Sequence, residues 1–187
     1  AADDAEQKIR LDLFPPLVEA GYAGHALDLL GHGGSYKPSR VHDYNFESVF
    51  DHMLGWIDSI RLDEPAILVG HSLGGGLSLL YALRYPERVR ALVLINPFYD
   101  IKQLPPVMRT LFHHQLLNTN LIDSTPYWLF RVLVDLSSLN IYVGNRETHT
   151  LPEHIRYQTA LDYKRASSGI YNNPRALPQL TYDLPCI

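Results

Sequence analysis

The chain has 187 residues, 46% of them hydrophobic, and its 20 acidic and 16 basic residues give a net charge of −4. That length suits one domain with a sizeable core, burying roughly 70% of the extended-chain surface when compact. The acidic balance and the lack of any Lys/Arg run argue against nucleic acid as a partner, and no stretch of about 18 apolar residues is present to span a membrane. Cys186 is the only cysteine, which rules out an internal disulfide and fits a reducing, cytoplasmic setting. The start is acidic and lacks the features of a signal peptide.

Ala1 to about Arg10 is polar and reads as a lead-in or a helix start. Pro15-Pro16 is tolerated in a first helical turn, so a helix is expected from near Phe14 to Gly21. Tyr22 to Leu29 reads as a strand, and Gly31 to Arg40 as loop by composition. From Asn45 to Ile60, the residues Phe46, Val49, Phe50, Met53, Ile57 and Ile60 recur at helical spacing, with Asp43 or Asn45 as the cap. Pro65 marks the return to a sheet. A strand at 66–69, a helix at 73–84 and a strand at 91–95 then form a β-α-β unit. That alternation predicts an α/β fold with a mostly parallel sheet flanked by helices. After Pro97 the composition shifts, and 104–118 and 126–139 read as helices rich in Leu, Val, Phe and Trp. Thr150-Leu151-Pro152-Glu153 fits a capping box that opens a helix to about Arg165, and 169–178 reads as loop.

Gly70-His71-Ser72-Leu73-Gly74 carries the chemistry. It follows the apolar run Ala66-Ile67-Leu68-Val69 and opens a segment of helical spacing. Strand, G-x-S-x-G, helix is the context in which this motif is a nucleophile elbow. Glycines on either side of the serine are expected to keep Cβ atoms out of a sharp turn. The turn lifts the hydroxyl to a helix N-terminus, where a backbone N–H and the helix dipole meet developing negative charge. The plainer alternative is an ordinary glycine-rich strand–helix turn.

These segments resemble the α/β-hydrolase fold family. Leu17 to Tyr22 resembles the helix end before the family's fourth strand, and Ala26 to Ser35 resembles that strand with its D-x-x-G-H-G-x-S loop. Ala66 to Gly76 matches strand, elbow and helix, and Tyr85-Pro86-Glu87-Arg88-Val89 through Asn96-Pro97 matches the next helix end and strand. The resemblance implies a partial hydrolase core over residues 1–100, an inserted α-helical lid over 101–170 and a return segment to the core over 171–187. Nothing in Ala1 to Leu13 resembles the family's first strands or the H-G loop that gives the second oxyanion N–H. The family's order of Ser, acid, His places the acid and histidine after the lid. The chain therefore reads as a hydrolase cut at both ends, with an apolar strand, an Asp loop and a histidine expected beyond Ile187.

Within that resemblance Ser72 is the nucleophile and the Leu73 backbone N–H an oxyanion donor. Gly70, His71 and Gly74 belong to the elbow. His71 packs or orients the turn, because adjacent residues at a sharp bend point apart. His32 lies in a structural loop that lacks the lysine and spacing of a P-loop, and Asp28 caps that loop. Asp100, shortly after the second strand, is a minor candidate for the acid. His113, His114, His149 and His154 fall in the lid region, where pocket-lining or surface roles are expected. His113-His114 lack a third ligand and metal-binding spacing. Tyr127, Trp128, Phe130, Tyr142 and Tyr157 are lining or core aromatics.

The implied function is a serine hydrolase that acts on an ester or other small acyl compound through an acyl-enzyme at Ser72. The fragment by itself is expected to be inactive, with its triad incomplete. Serine at the elbow argues against epoxide hydrolases and haloalkane dehalogenases, which place Asp there. A small-molecule substrate is implied, with no metal and no organic cofactor. The alternative from another class is a noncatalytic small-molecule-binding or scaffold protein of the same fold.

Overall fold

The computed structural model describes residues 14–104, 106, 109–110, 123–142, 152–170 and 180. The chain divides into two compact units: Ala1–Asp28 with Pro126–Arg165, and Leu29–Thr125 with Ala166–Ile187.

In the second unit, α2 spans Phe46–Ile60 and is built as its spacing predicts. Asn45 caps it, its side-chain oxygen accepting the Ser48 N–H at 2.9 Å. Phe46, Val49, Phe50, Met53 and Ile57 are buried, and each contributes about 1.5–3 kcal/mol by leaving water. Strands β1 (Ala66–His71) and β2 (Val89–Ile95) pair in parallel, with Ile67 opposite Ala91, Val69 opposite Val93 and His71 opposite Ile95. Helix α3 (Leu73–Arg84) connects them, followed by a 3-10 turn at Pro86–Arg88. This is the expected parallel β-α-β unit.

Helix α3 is buried from Gly75 through Ala82, so it is apolar nearly all round. Such a helix needs cover on more than one side. The strands provide one side, and Phe50 of α2 meets Tyr81 elsewhere on the helix. The Phe50 and Tyr81 rings lie 6.5 Å apart, and the Arg84 guanidinium sits 4.6 Å from the Phe50 ring centre while pairing with Glu47 at 2.9 Å. Burial pushes the Tyr81 phenol above its ordinary pKa, against the pull of the nearby Arg88 guanidinium. On the sheet, Ile67, Val69, Val93 and Ile95 are exposed. Alternate strand residues share a face, so the register collects these four on one side.

The loop after Leu30 is folded around Tyr44, which is buried and donates its hydroxyl to the Pro38 carbonyl at 2.8 Å. Gly31 donates to the Tyr36 carbonyl and accepts from Ser167, both at 2.9 Å. A Cβ on Gly169 would fall 2.2 Å from the Tyr44 ring. Tyr44 thus gathers three separate pieces of chain.

In the first unit, α1 covers Phe14–Glu19. It ends in a Schellman motif: Tyr22 donates to Leu17 O and Gly21 to Val18 O, both at 2.9 Å, with Gly21 at φ +86°. The strand expected over Tyr22 to Leu29 is not formed. The segment is irregular and its side chains from Tyr22 to His25 are exposed. A strand exists only as part of a ladder, and among the described residues this segment pairs with neither strand. Helices α4 (Tyr127–Tyr142) and α5 (Glu153–Arg165) correspond to those expected at 126–139 and about 150–165. The helix expected at 104–118 lies largely outside the described residues, as do His113, His114 and His149.

Helices α4 and α5 are joined by an ion cluster. Arg131 bonds Asp135 at 3.1 Å and Glu153 at 2.7 Å, and Arg156 bonds Asp135 at 2.7 Å and also Glu153. Partial burial pushes the Asp135 carboxyl up, but the two guanidinium groups outweigh it and hold it below the ordinary carboxylate range. The Glu153 carboxyl is held down mainly by Arg131.

Two outcomes follow. Phe50→Ala removes a ring packed on both Tyr81 and Arg84 and should cost about 3–5 kcal/mol in urea unfolding. Because both folded carboxyl pKa values lie below their unfolded values, the cluster stabilises fully above about pH 4 and loses that contribution as pH falls through the depressed values. The thermal midpoint should therefore drop below pH 4, and Arg131→Met should make that drop shallower.

Candidate active site

The site is the turn from β1 into α3. Ser72 has φ 50° and ψ −117°, outside the ordinary regions for a residue with a side chain. It stands at the N-cap of α3, where serine normally uses its hydroxyl to bond the first helical N–H groups. Here the side chain makes no such bond. Ser72 is half-buried, and its hydroxyl has no hydrogen-bond partner among the described residues.

The backbone of Ser72, by contrast, is fully used. Its N–H donates to the Ile95 carbonyl at 3.1 Å, and its carbonyl accepts from Gly76 at 3.1 Å and Phe98 at 2.8 Å. These bonds tie the bend to the end of β2 and hold a dihedral pair that costs of order 1–3 kcal/mol. Leu73 is the first helical residue of α3, so its N–H has no intrahelical acceptor and is available beside the hydroxyl.

Glycine is required at three of the four glycine positions in and just after the elbow. A Cβ on Gly70 would lie 2.5 Å from Gly74 O, one on Gly75 would lie 2.7 Å from Pro97 Cβ, and one on Gly76 would lie 2.1 Å from Phe98 O. At Gly74 a Cβ would meet nothing within 4 Å. The expectation that glycine clears the turn at Gly74 is thus corrected: what presses on the turn is the backbone of Gly74 against Gly70, and the crowding further on comes from the β2 end.

His71 closes β1, exposed and opposite Ile95. The structure places Asp100 buried, with its carboxylate accepting the Lys102 N–H at 2.8 Å in a capping box with Gln103. Gln103 Oε1 in turn accepts from Tyr99 and Asp100 N–H, and its Nε2 donates to Pro97 O. Asp100 therefore organises the chain that leaves β2. No hydrogen bond joins Ser72 to a histidine or a carboxylate among the described residues. His32 is half-buried, with Nδ1 at 3.2 Å from Leu30 O. Among the described residues no three His, Cys, Asp or Glu side chains gather to hold a metal ion, and no helix is long and apolar enough to cross a membrane.

A sequence profile described as alpha/beta hydrolase fold matches residues 4–179. The chain belongs to the alpha/beta hydrolase fold family. It is 46% identical over 71 residues to 2-hydroxymuconate semialdehyde hydrolase of Pseudomonas sp. (strain CF600), a match spanning 38% of this chain and 24% of that protein. It is 42% identical over 77 residues to the (lyso)-N-acylphosphatidylethanolamine lipase of Mus musculus, spanning 40% of this chain and 22% of that protein. Among solved structures, a thermophilic esterase from Thermogutta terrifontis superposes with a TM-score of 0.62 at 18% identity, covering 84% of this chain and 55% of that one. That likeness is one of fold. The chain thus aligns with about a quarter of these curated relatives' length and just over half of the esterase.

In this hydrolase-fold chain Asn96 is legible in the sequence only as the end of the second strand. It follows β2 directly at φ 46°. The one signal available was Asn-Pro itself, which marks a turn.

The glycine geometry separates by substitution. Gly76→Ala should destabilise the chain by about 1–3 kcal/mol through overpacking against Phe98. Gly74→Ala should leave the thermal midpoint unchanged or raise it, since alanine is about 1 kcal/mol better than glycine within a helix.

Proposed function

We propose that the protein is a serine hydrolase whose nucleophile is Ser72 and whose substrate is an ester or other small acyl compound. The observation that carries this reading is the strained Ser72, whose backbone is fixed by three hydrogen bonds while its hydroxyl is left free at the start of α3. The relatives support it in kind, being named as hydrolases and a lipase.

In this reading the Ser72 oxygen attacks the acyl carbon as a general base takes the hydroxyl proton. The carbonyl oxygen becomes an oxyanion, held by the Leu73 N–H at the positive end of the α3 dipole. The alcohol leaves with a proton, and water releases the acid and restores the hydroxyl. The base is a histidine by resemblance, and Asp100 remains a minor candidate for the acid, its carboxylate already engaged as a cap. By resemblance, the described helices α4 and α5 belong to an inserted lid.

A fluorophosphonate probe tests the nucleophile. The full-length protein should be labelled at Ser72 by peptide mapping, and Ser72→Ala should abolish labelling without lowering the thermal midpoint. A folded full-length protein that the probe never modifies is instead a noncatalytic binder on the same fold.

A further inference from the structure

The turn at Asn96 is the second strained point of the site. Asn96 takes φ 46° directly before Pro97, although a residue before proline is pushed toward extended conformations. The turn has a visible purpose. It drops Pro97 and Phe98 onto the glycines of α3, where hypothetical Cβ atoms on Gly75 and Gly76 would collide with them. It also lets Phe98 donate to the Ser72 carbonyl at 2.8 Å.

That purpose is a backbone purpose, and glycine adopts such a φ without steric cost. Asparagine tolerates it too, and unlike glycine it brings a side chain that the turn has to place. Asn96 is exposed, and its carboxamide has no hydrogen-bond partner among the described residues, so it is not closing the turn. Its position is equally specific. It lies in the two-residue span between Ile95 and Phe98, the residues whose backbone groups grip Ser72 from either side. It also sits at the carboxyl end of a parallel strand, where open α/β sheets bind their ligands.

Resting on the reading of Ser72 as the nucleophile, we infer that Asn96 is a substrate-binding residue. Its carboxamide hydrogen-bonds a second oxygen on the acyl group, close to the scissile carbonyl. The preferred substrate class is then an oxygenated acyl compound over a plain alkyl one. A site that offers a hydrogen bond discriminates against the analogue that lacks the partner.

Asn96→Gly keeps the backbone conformation and deletes only the carboxamide, so its thermal midpoint should match that of the wild type. Both proteins are assayed at full length, and the substrates are p-nitrophenyl 3-hydroxybutyrate and p-nitrophenyl butyrate. The wild type should favour the hydroxylated ester by about tenfold or more in kcat/KM, and Asn96→Gly should bring the ratio close to one through loss on that ester alone. A ratio that is the same in both proteins, or an equal loss on both esters, overturns the inference. Labelling keeps the two readings apart. A full-length wild type that fluorophosphonate does not modify at Ser72 overturns both, while a labelled wild type with unchanged Asn96→Gly selectivity overturns only the assignment of Asn96.

Discussion

The constraint on which the site depends is the grip of the β2 end on Ser72. The Ile95 carbonyl holds the Ser72 N–H, and the Phe98 N–H holds its carbonyl. With both backbone groups satisfied, the strained dihedrals cost conformational energy but leave no polar group unpaired. The side chain is then the one part of the residue free to act.

That grip needs close approach, and close approach needs missing side chains. Pro97 and Phe98 reach the elbow because Gly75 and Gly76 present bare backbone to them, and β1 meets α3 tightly because Gly70 does the same for Gly74. The left-handed turn at Asn96 steers the chain into that contact. Asp100 and Gln103 then fix the segment beyond it through a reciprocal cap. Strand, turn, helix and return loop thus form one tightly fitted assembly around the serine backbone, and Phe50 of α2 packs near Tyr81 of the helix that follows it. The cation–π contact of Arg84 with Phe50 and its ion pair with Glu47 knit those two helices at their margin.

Much of this was legible residue by residue. Helix α2 announces itself because its apolar residues repeat at 3.6-residue spacing and Asn45 supplies a cap. The elbow is legible because its glycines, its serine and its two apolar flanks stand in a fixed order. Tyr22 to Leu29 misled because β propensity describes a residue's fitness for a ladder without saying that a partner is present. Arg131, Asp135, Glu153 and Arg156 look like scattered surface charges in the sequence, since Asp135 and Arg156 meet only once two helices are packed together.

What the sequence by itself determined is local: which segments are helical, where the β-α-β unit begins and ends, and that a serine lies on a glycine-flanked bend. Those features depend on neighbours a few residues away, and spacing records them. The tertiary structure alone decided which glycines are sterically obligatory, that Asp100 is occupied as a cap, and that Asn96 stands at the elbow in a left-handed turn. Each of these depends on the approach of the chain beyond β2 to the start of α3, about twenty residues apart along the sequence, and such an approach is set by packing, which no local pattern encodes.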